Sequence, residues 1–383
     1  MIIKSNLFVY FYTYFSADMI FVYTRSYLPI YFSNVIKIDT TKLSFVLFFS
    51  YLALLSRPLI SLYFDRKNSK RKLVVLLSGL AILVNFSILL FSLHSILLFG
   101  ITYAIVLTSI SINTVGVNKI MISNSPDMKD KNGNALLIQF GSITGSLFSI
   151  FIFLLSVGSL SNWTNFFLLG ILFTIPLLFF TIFLKDKSAN YHSIHEKRNE
   201  NLINKKPVIL FAVFLFLAFS DKLFSYSIKP WICIQTSTSF FSLLWFVLIL
   251  IYTFGNIIGG KLFKNVDCRL TLLIATLIIG IILFIVPFLS FSVFLIFYGL
   301  YFFFSGLSLI KIISYKMELA QNRVFNYQIM TMFSIMATIV FTPIGTFLYK
   351  FVETDIIISI SGILIISSII PFYFFKLNKK EGD

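Results

Sequence analysis

Apolar runs of about twenty residues recur along the whole chain, at roughly 7–32, 43–64, 73–93, 96–119, 134–157, 163–184, 207–232, 239–260, 270–291, 293–316, 325–349 and 355–375. Each is long enough to carry a helix through a hydrocarbon core about 30 Å thick. In such a core the backbone must satisfy its own hydrogen bonds. The runs lack the two-residue alternation of a barrel strand, so helices are expected. Composition excludes a soluble core as the source of this pattern. Charged residues are 12% of the chain, where a soluble domain carries about 25%. The expectation is an all-α integral membrane protein with twelve transmembrane helices.

A formal net charge of +16 would suggest nucleic acid in a soluble protein, but here the connecting loops explain it. The terminal side and the loops after every second run hold 23 lysines and arginines; the opposite side holds only Lys37, Lys42 and Lys350. Basic loops stay on the cytoplasmic face, which puts both termini in the cytoplasm of a plasma-membrane protein. No cleavable signal is expected, because the first apolar run is too long and leads into more of the same. The two cysteines, Cys233 and Cys268, imply neither a disulfide framework nor a thiolate metal site.

The longest polar interruption, 185–206, divides the chain into a half at 1–184 and a half at 207–383. The halves echo one another. Asp18, Phe21 and Tyr23 in the first run reappear as Asp221, Phe224 and Tyr226 in the seventh, and Pro29 and Pro230 follow near the outer ends. Repeated halves are a common construction in transporters.

The loop between the second and third runs carries a sharper signal. Ser61, Asp65, Arg66, Asn68, Lys70 and Arg71 match the pattern Gly-x-x-x-Asp-Arg-x-Gly-x-(x)-basic-basic, with Ser61 and Asn68 in the glycine positions. With twelve helices, a duplicated six and a basic central loop, the chain resembles the major facilitator superfamily over essentially its whole length. It departs from that family in having no arginine at the start of helix four, where Leu93-His94-Ser95-Ile96 stands. The helix-five antiporter pattern is present only as Gly141-x-x-x-Gly145, without its proline. The resemblance implies two six-helix halves in the major facilitator fold, with helices one, four, seven and ten lining a central cavity. It also implies that Ser61, Asp65, Arg66, Lys70 and Arg71 form an inner gate that locks against the other half.

Charges inside a bilayer cost several kcal/mol each and are usually paired or line a wet cavity. Those within the apolar runs are Asp18, Arg25, Arg57, Asp221, Lys222, Lys229 and Lys311. Asp18 and Asp221 are the expected proton-coupling residues, or else ion-pair partners of neighbouring bases. A carboxyl held out of water suits proton carriage unless an adjacent base stabilises its ionised form. Arg25 is the expected solute anchor, since a guanidinium holds a carboxylate or phosphate in a fixed fork; its other reading is a partner for Asp18, two turns away. Lys222 and Lys311 add positive potential, and Lys311, near the cytoplasmic end, could instead snorkel, as Lys229 is expected to do. Arg57, beside Pro58, is assigned to a gate or a structural role. Ser109, Ser111, Asn113 and Thr114 offer hydrogen bonds to a solute or to a neighbouring helix. Of Tyr10, Tyr12, Tyr14, Tyr23 and Tyr27, some are expected to line the cavity.

Five buried bases against two acids favour an anionic or carboxylate-bearing small solute. The expected activity is secondary active transport by alternating access, coupled to H⁺ in the manner of a symporter. The alternative is a proton-coupled efflux antiporter for amphipathic compounds. A polytopic membrane enzyme finds no cluster of acids and histidines in the outer loops, and His192 and His195 lie on the central loop. A non-transporting scaffold has no reason to keep buried charge. No phosphate-binding Gly-Lys-Ser/Thr motif occurs, so ATP is not the direct driver. The expected partners are the solute, membrane lipids and a coupling ion, with no nucleic acid, no cofactor and no metal, on a monomer.

Overall fold

The computed structural model describes residues 2–24, 36, 46, 48–66, 71–91, 95–124, 128–156, 163–184, 205–224, 228, 232, 238–261, 267–320, 323–348 and 351–373. Among them every one of the twelve apolar runs has a helical counterpart. These are α1 (Ile2–Val22), α2 (Arg57–Arg66, entered through a 3-10 turn at Ala53–Ser56), α3 (Arg71–Phe91), α4 (Ile96–Ser123), α5 (Met128–Ser156) and α6 (Trp163–Ile182). Then come α7 (Lys205–Ala218, followed by a 3-10 turn at Ser220–Leu223), α8 (Thr238–Lys261), α9 (Cys268–Ile285), α10 (Phe291–Ala320), α11 (Val324–Leu348) and α12 (Thr354–Ser367, continued by a short helix at Ile369–Tyr373). Nine of the described helices are long and apolar enough to cross a membrane.

Contacts divide the chain into two compact units. The first comprises Met1–Asp130, Leu137–Arg198 and Asn322–Phe325; the second comprises Lys131–Leu136, Asn199–Gln321 and Asn326–Asp383. Each has the same internal plan. In the first, α3 packs on α4 and α6, α2 on α4, and α1 on α6. In the second, α9 packs on α10 and α12, α8 on α10, and α7 on α12.

Small residues set how closely these helices approach. Lipid tails are as apolar as leucine, so helices in a membrane associate through packing contact and hydrogen bonds, and glycine lets backbones meet. A Cβ at Gly141 or Gly145 of α5 would run into the carbonyls of Phe11 and Phe15 on α1. In the second unit Gly345 of α11 sits in the same way against Leu223, and Gly255 and Gly306 join α8 to α10. The Gly141-x-x-x-Gly145 spacing therefore has a packing cause that needs no antiporter chemistry. Gly145→Leu is expected to drive α5 off α1 and to cut folded yield severely, whereas Gly133→Ala, which meets nothing within 4 Å, leaves yield unchanged. Fluorescence size-exclusion profiles of the two variants check this.

The second unit is filled by an aromatic seam. Phe291, Phe294, Tyr298 and Tyr301 stack along one face of α10 with successive ring centroids 6.1, 5.3 and 5.6 Å apart. Elsewhere in the same unit Arg269 of α9 donates to the carbonyls of Phe372 (3.3 Å) and Tyr373 (3.0 Å), satisfying acceptors that a helix C-terminus leaves open.

Candidate functional site

Among the described residues, Asp18, Asp65 and Asp221 each hold a polar cluster between apolar helices. The first lies within the first unit and joins α1, α2, α4 and α5. The Ser142 hydroxyl of α5 donates to the Asp18 carboxylate of α1. One turn earlier, Tyr14 donates to Oδ1 of Asn118 on α4 at 2.6 Å. From α2, Nε of Arg57 donates to Oγ of Ser111, also on α4, at 3.3 Å. Ser111 and Asn118 are two turns apart, on one face of α4. The charge of Arg57 reaches both Tyr14 and Asp18.

The second cluster is built on Asp65, at the end of α2. Its Oδ1 accepts from Nζ of Lys119 at 2.7 Å and from the Val324 amide at 3.1 Å, and its Oδ2 accepts from the Phe325 amide at 2.8 Å. Val324 and Phe325 open α11 and belong to the first unit. Amides at a helix N-terminus have no partner in their own helix, and the dipole there favours an anion. The ion pair is largely buried, with side-chain exposures of 7% for Lys119 and 16% for Asp65. Ser61, one turn before Asp65, is fully buried and donates to the Pro58 carbonyl.

The third cluster lies in the second unit, where α7 gives way to its 3-10 turn. Oδ2 of Asp221 accepts from Nζ of Lys222 and from the Tyr301 hydroxyl of α10, each at 2.9 Å. Its Oδ1 is buried with no hydrogen-bond partner. The Lys222 ammonium also stands 5.8 Å from the centre of the Phe219 ring.

Other expected site residues are spread more widely. Asn113 is buried and donates to the Val75 carbonyl (2.9 Å) and to Ser78 (3.2 Å), tying α4 to α3. Ser109 and Thr114 return their hydroxyls to their own helix, at Ile105 and Ile110. Lys311 is 1% exposed on α10, and its carbonyl accepts from the Cys268 thiol. Arg71 opens α3 and is buried. Tyr10 and Tyr23 are buried, with Tyr23 stacked 4.0 Å from Phe166 and donating to its carbonyl, while Tyr12 packs on Phe180. Arg25, Tyr27, Lys70 and Lys229 lie outside the described residues, as does the side chain of Arg66.

Sequence reasoning missed Asn118, Lys119, Ser142 and Tyr301. Lys119 reads as a loop base because the apolar run stops there, yet α4 continues to Ser123. The signal was Asp65, an acid at a helix end that needs a cation. Ser142 sits between the paired glycines of α5, on a helix pressed against α1.

No family profile and no curated protein sequence matches the chain. Solved structures do. The transporter FucP in its outward conformation superposes with a TM-score of 0.75 at 12% identity, covering 98% of each chain. The proton:xylose symporter XylE gives 0.77 at 12% identity, covering 98% of this chain and 95% of its own. The human organic anion transporter MFSD10 gives 0.67 at 14%, covering 98% and 99%. The chain has the major facilitator fold. At these identities the likeness carries the arrangement of helices and leaves chemistry to this chain's own residues. Asp65, at the end of α2, belongs to the sequence motif that first pointed to that fold.

Asp65→Asn removes the charge that serves Lys119 and the first amides of α11. Hydrogen bonds to a charged group contribute about 1.5–3 kcal/mol each. The thermal midpoint of the purified variant is therefore expected to fall below that of wild type. An unchanged midpoint would remove Asp65 from the joining of α2, α4 and the first turn of α11.

Proposed function

We propose that this chain is a secondary active transporter that moves a small anionic or carboxylate-bearing organic solute by alternating access, coupled to H⁺. The observation that carries the reading is Asp18. In a span where charge is costly, this acid has a hydroxyl donor from a neighbouring helix and a guanidinium within electrostatic reach. An acid so placed can take up and release a proton. Arg57 supplies positive potential for an anion within the first unit. The resemblance to FucP, XylE and MFSD10 supports transport in general and does not choose among sugars, anions or other solutes. The reading includes cytoplasmic termini and a 185–206 loop on the same face, two six-helix halves, and Asp65, Ser61, Arg57, Arg66, Lys70 and Arg71 acting on conformational balance. It includes no catalytic step, metal or cofactor.

The test has two stages. A thermal-shift screen of the purified protein against anionic, neutral and cationic metabolites finds the solute class. Labelled solute is then followed in proteoliposomes with and without an imposed pH gradient. Accumulation that rises with the gradient and collapses with a protonophore is expected. Accumulation indifferent to both would overturn H⁺ coupling, and stabilisation only by cations would overturn the anionic solute.

A further inference from the structure

A serine or threonine in a helix has a ready acceptor one turn back, at the carbonyl three or four residues earlier. In the first unit the buried hydroxyls of Thr24, Ser78, Thr102, Thr114 and Thr181 all take it. Thr13 and Ser16 of α1 do not. They are 2% and 1% exposed, and neither hydroxyl has a hydrogen-bond partner among the described residues. Three residues apart, they share one face of α1. A third such atom is Oδ1 of Asn113 on α4. The amide nitrogen of that side chain bonds Val75 and Ser78, while its oxygen is buried with no partner among the described residues.

Helix register brings the three oxygens to one level. Tyr14 bonds Asn118, and Thr24 and Tyr103 share a hydrogen bond at 2.6 Å, so α1 and α4 run antiparallel. Asn113 stands a third of the way from Asn118 to Tyr103, which sets it opposite the part of α1 just after Ser16. On α6, Phe180 packs on Tyr12 and Phe166 stacks on Tyr23, which sets Leu177 level with Thr13 and Tyr14. A Cβ at Gly79 of α3 would meet Nδ2 of Asn113 at 3.7 Å and Leu177 at 3.9 Å. Four helices of the first unit therefore converge on the layer that holds Thr13, Ser16 and Asn113.

We propose that Thr13, Ser16 and Asn113 hold a buried water molecule between α1 and α4 of the first unit. The donor set suits it. Water accepts from the two hydroxyls and donates to Oδ1 of Asn113, within the two to four bonds that a buried water makes. A sodium ion also takes neutral oxygens, but a buried cation needs negative charge beside it. Asp18, the acid on this stretch of α1, is bonded to Ser142 of α5. Two residues beyond Ser16, it lies on the opposite side of the helix. The site is independent of which solute is moved. A shared water can re-pair as α1 shifts against α4, where a direct bond between side chains would have to break.

The test compares the full-length purified wild type with Thr13→Val, Ser16→Ala and the double variant. Valine keeps the outline of threonine and removes its hydroxyl. A buried hydroxyl with no partner costs stability, so its loss would raise the thermal midpoint. A hydroxyl bound to water contributes, and each single variant is expected to lower the midpoint by about 2 °C or more. The double variant should lose less than the sum of the two, because both hydroxyls serve one water. A density map of wild type that shows ordered water should carry a peak within hydrogen-bond distance of Thr13 Oγ1, Ser16 Oγ and Asn113 Oδ1. A midpoint equal to or above wild type in either single variant would overturn the site, as would a map without the peak. Additive losses would overturn it too, since they mark separate bonds from each hydroxyl to the Val9 and Tyr12 carbonyls. So would stabilisation by sodium chloride over choline chloride that Thr13→Val removes, the mark of a cation in place of water. If a variant does not fold, the map of wild type decides alone.

Discussion

Asp18→Asn is expected to abolish accumulation of solute against a gradient while exchange of labelled for unlabelled solute continues near the wild-type rate. Net uptake coupled to protons requires the site to gain a proton on one side and lose it on the other. Exchange requires only that the loaded protein change conformation and return loaded. Asparagine is close in shape to the protonated acid and keeps an acceptor for the Ser142 hydroxyl, so α1 and α5 stay joined. Proteoliposomes with a gradient report the first quantity, and those at equilibrium with counterflow report the second. Undiminished accumulation would remove Asp18 from coupling. Loss of folded protein, restored by Arg57→Gln in the same chain, would make the acid a counter-charge only.

Asp221→Asn is expected to act on the fold. In the second unit the acid already has a lysine and a phenol on one oxygen, both at 2.9 Å. Breaking a buried ion pair from one side costs about 3–5 kcal/mol, because the remaining charge is stranded. Side-chain exposures of 25% for Lys222 and 18% for Asp221 place the cost toward the lower end of that range. Folded yield should fall sharply, and the double change Asp221→Asn with Lys222→Gln should restore much of it. Unaltered yield together with lost accumulation would instead make Asp221 the residue that carries the proton. The expected contrast between two acids in matching places comes from their surroundings. Asp18 lies in an unbroken helix with its base on another helix, whereas Asp221 lies at a helix break with its base next door.

How much of this could be read from the sequence depended on whether the cause was local. Helices follow from apolar length, and among the described residues each of the twelve runs holds a helix, with the polar ends of α4 and α5 running beyond the apolar limits. Asp65 was legible because a short loop between two long runs compresses its signal into a few residues. Its partners were not, since Lys119 and the amides of Val324 and Phe325 are distant in sequence and meet it only by packing. Arg57 was identified as a buried charge, yet its direction depends on how α2 winds through the turn at Ala53–Ser56, which composition does not encode. Asn113 was named as a solute ligand by residue type, and the sequence did not show that its amide nitrogen bonds the Val75 carbonyl and the Ser78 hydroxyl of α3. The break after α7 was likewise hidden, because the echo of Asp18, Phe21 and Tyr23 in Asp221, Phe224 and Tyr226 suggested equal backbones in both halves.

The contact between α9 and α12 bears on how the chain is made. Gly280 and Gly362 allow those two backbones to meet, and Arg269 finds its acceptors at Phe372 and Tyr373. About 80 residues separate the two glycines, so at roughly 5–20 residues per second α9 enters the membrane ~4–16 s before its partner is synthesised. Throughout that interval the groove at Gly280 has no helix to fill it, and the carbonyls that will receive Arg269 do not yet exist. The contact between α9 and α12 therefore closes only once Phe372 and Tyr373 have been synthesised. A chain stopped before Phe372 would leave an arginine of α9 without its intended acceptors, a mark by which membrane quality control could tell an incomplete copy from a finished one.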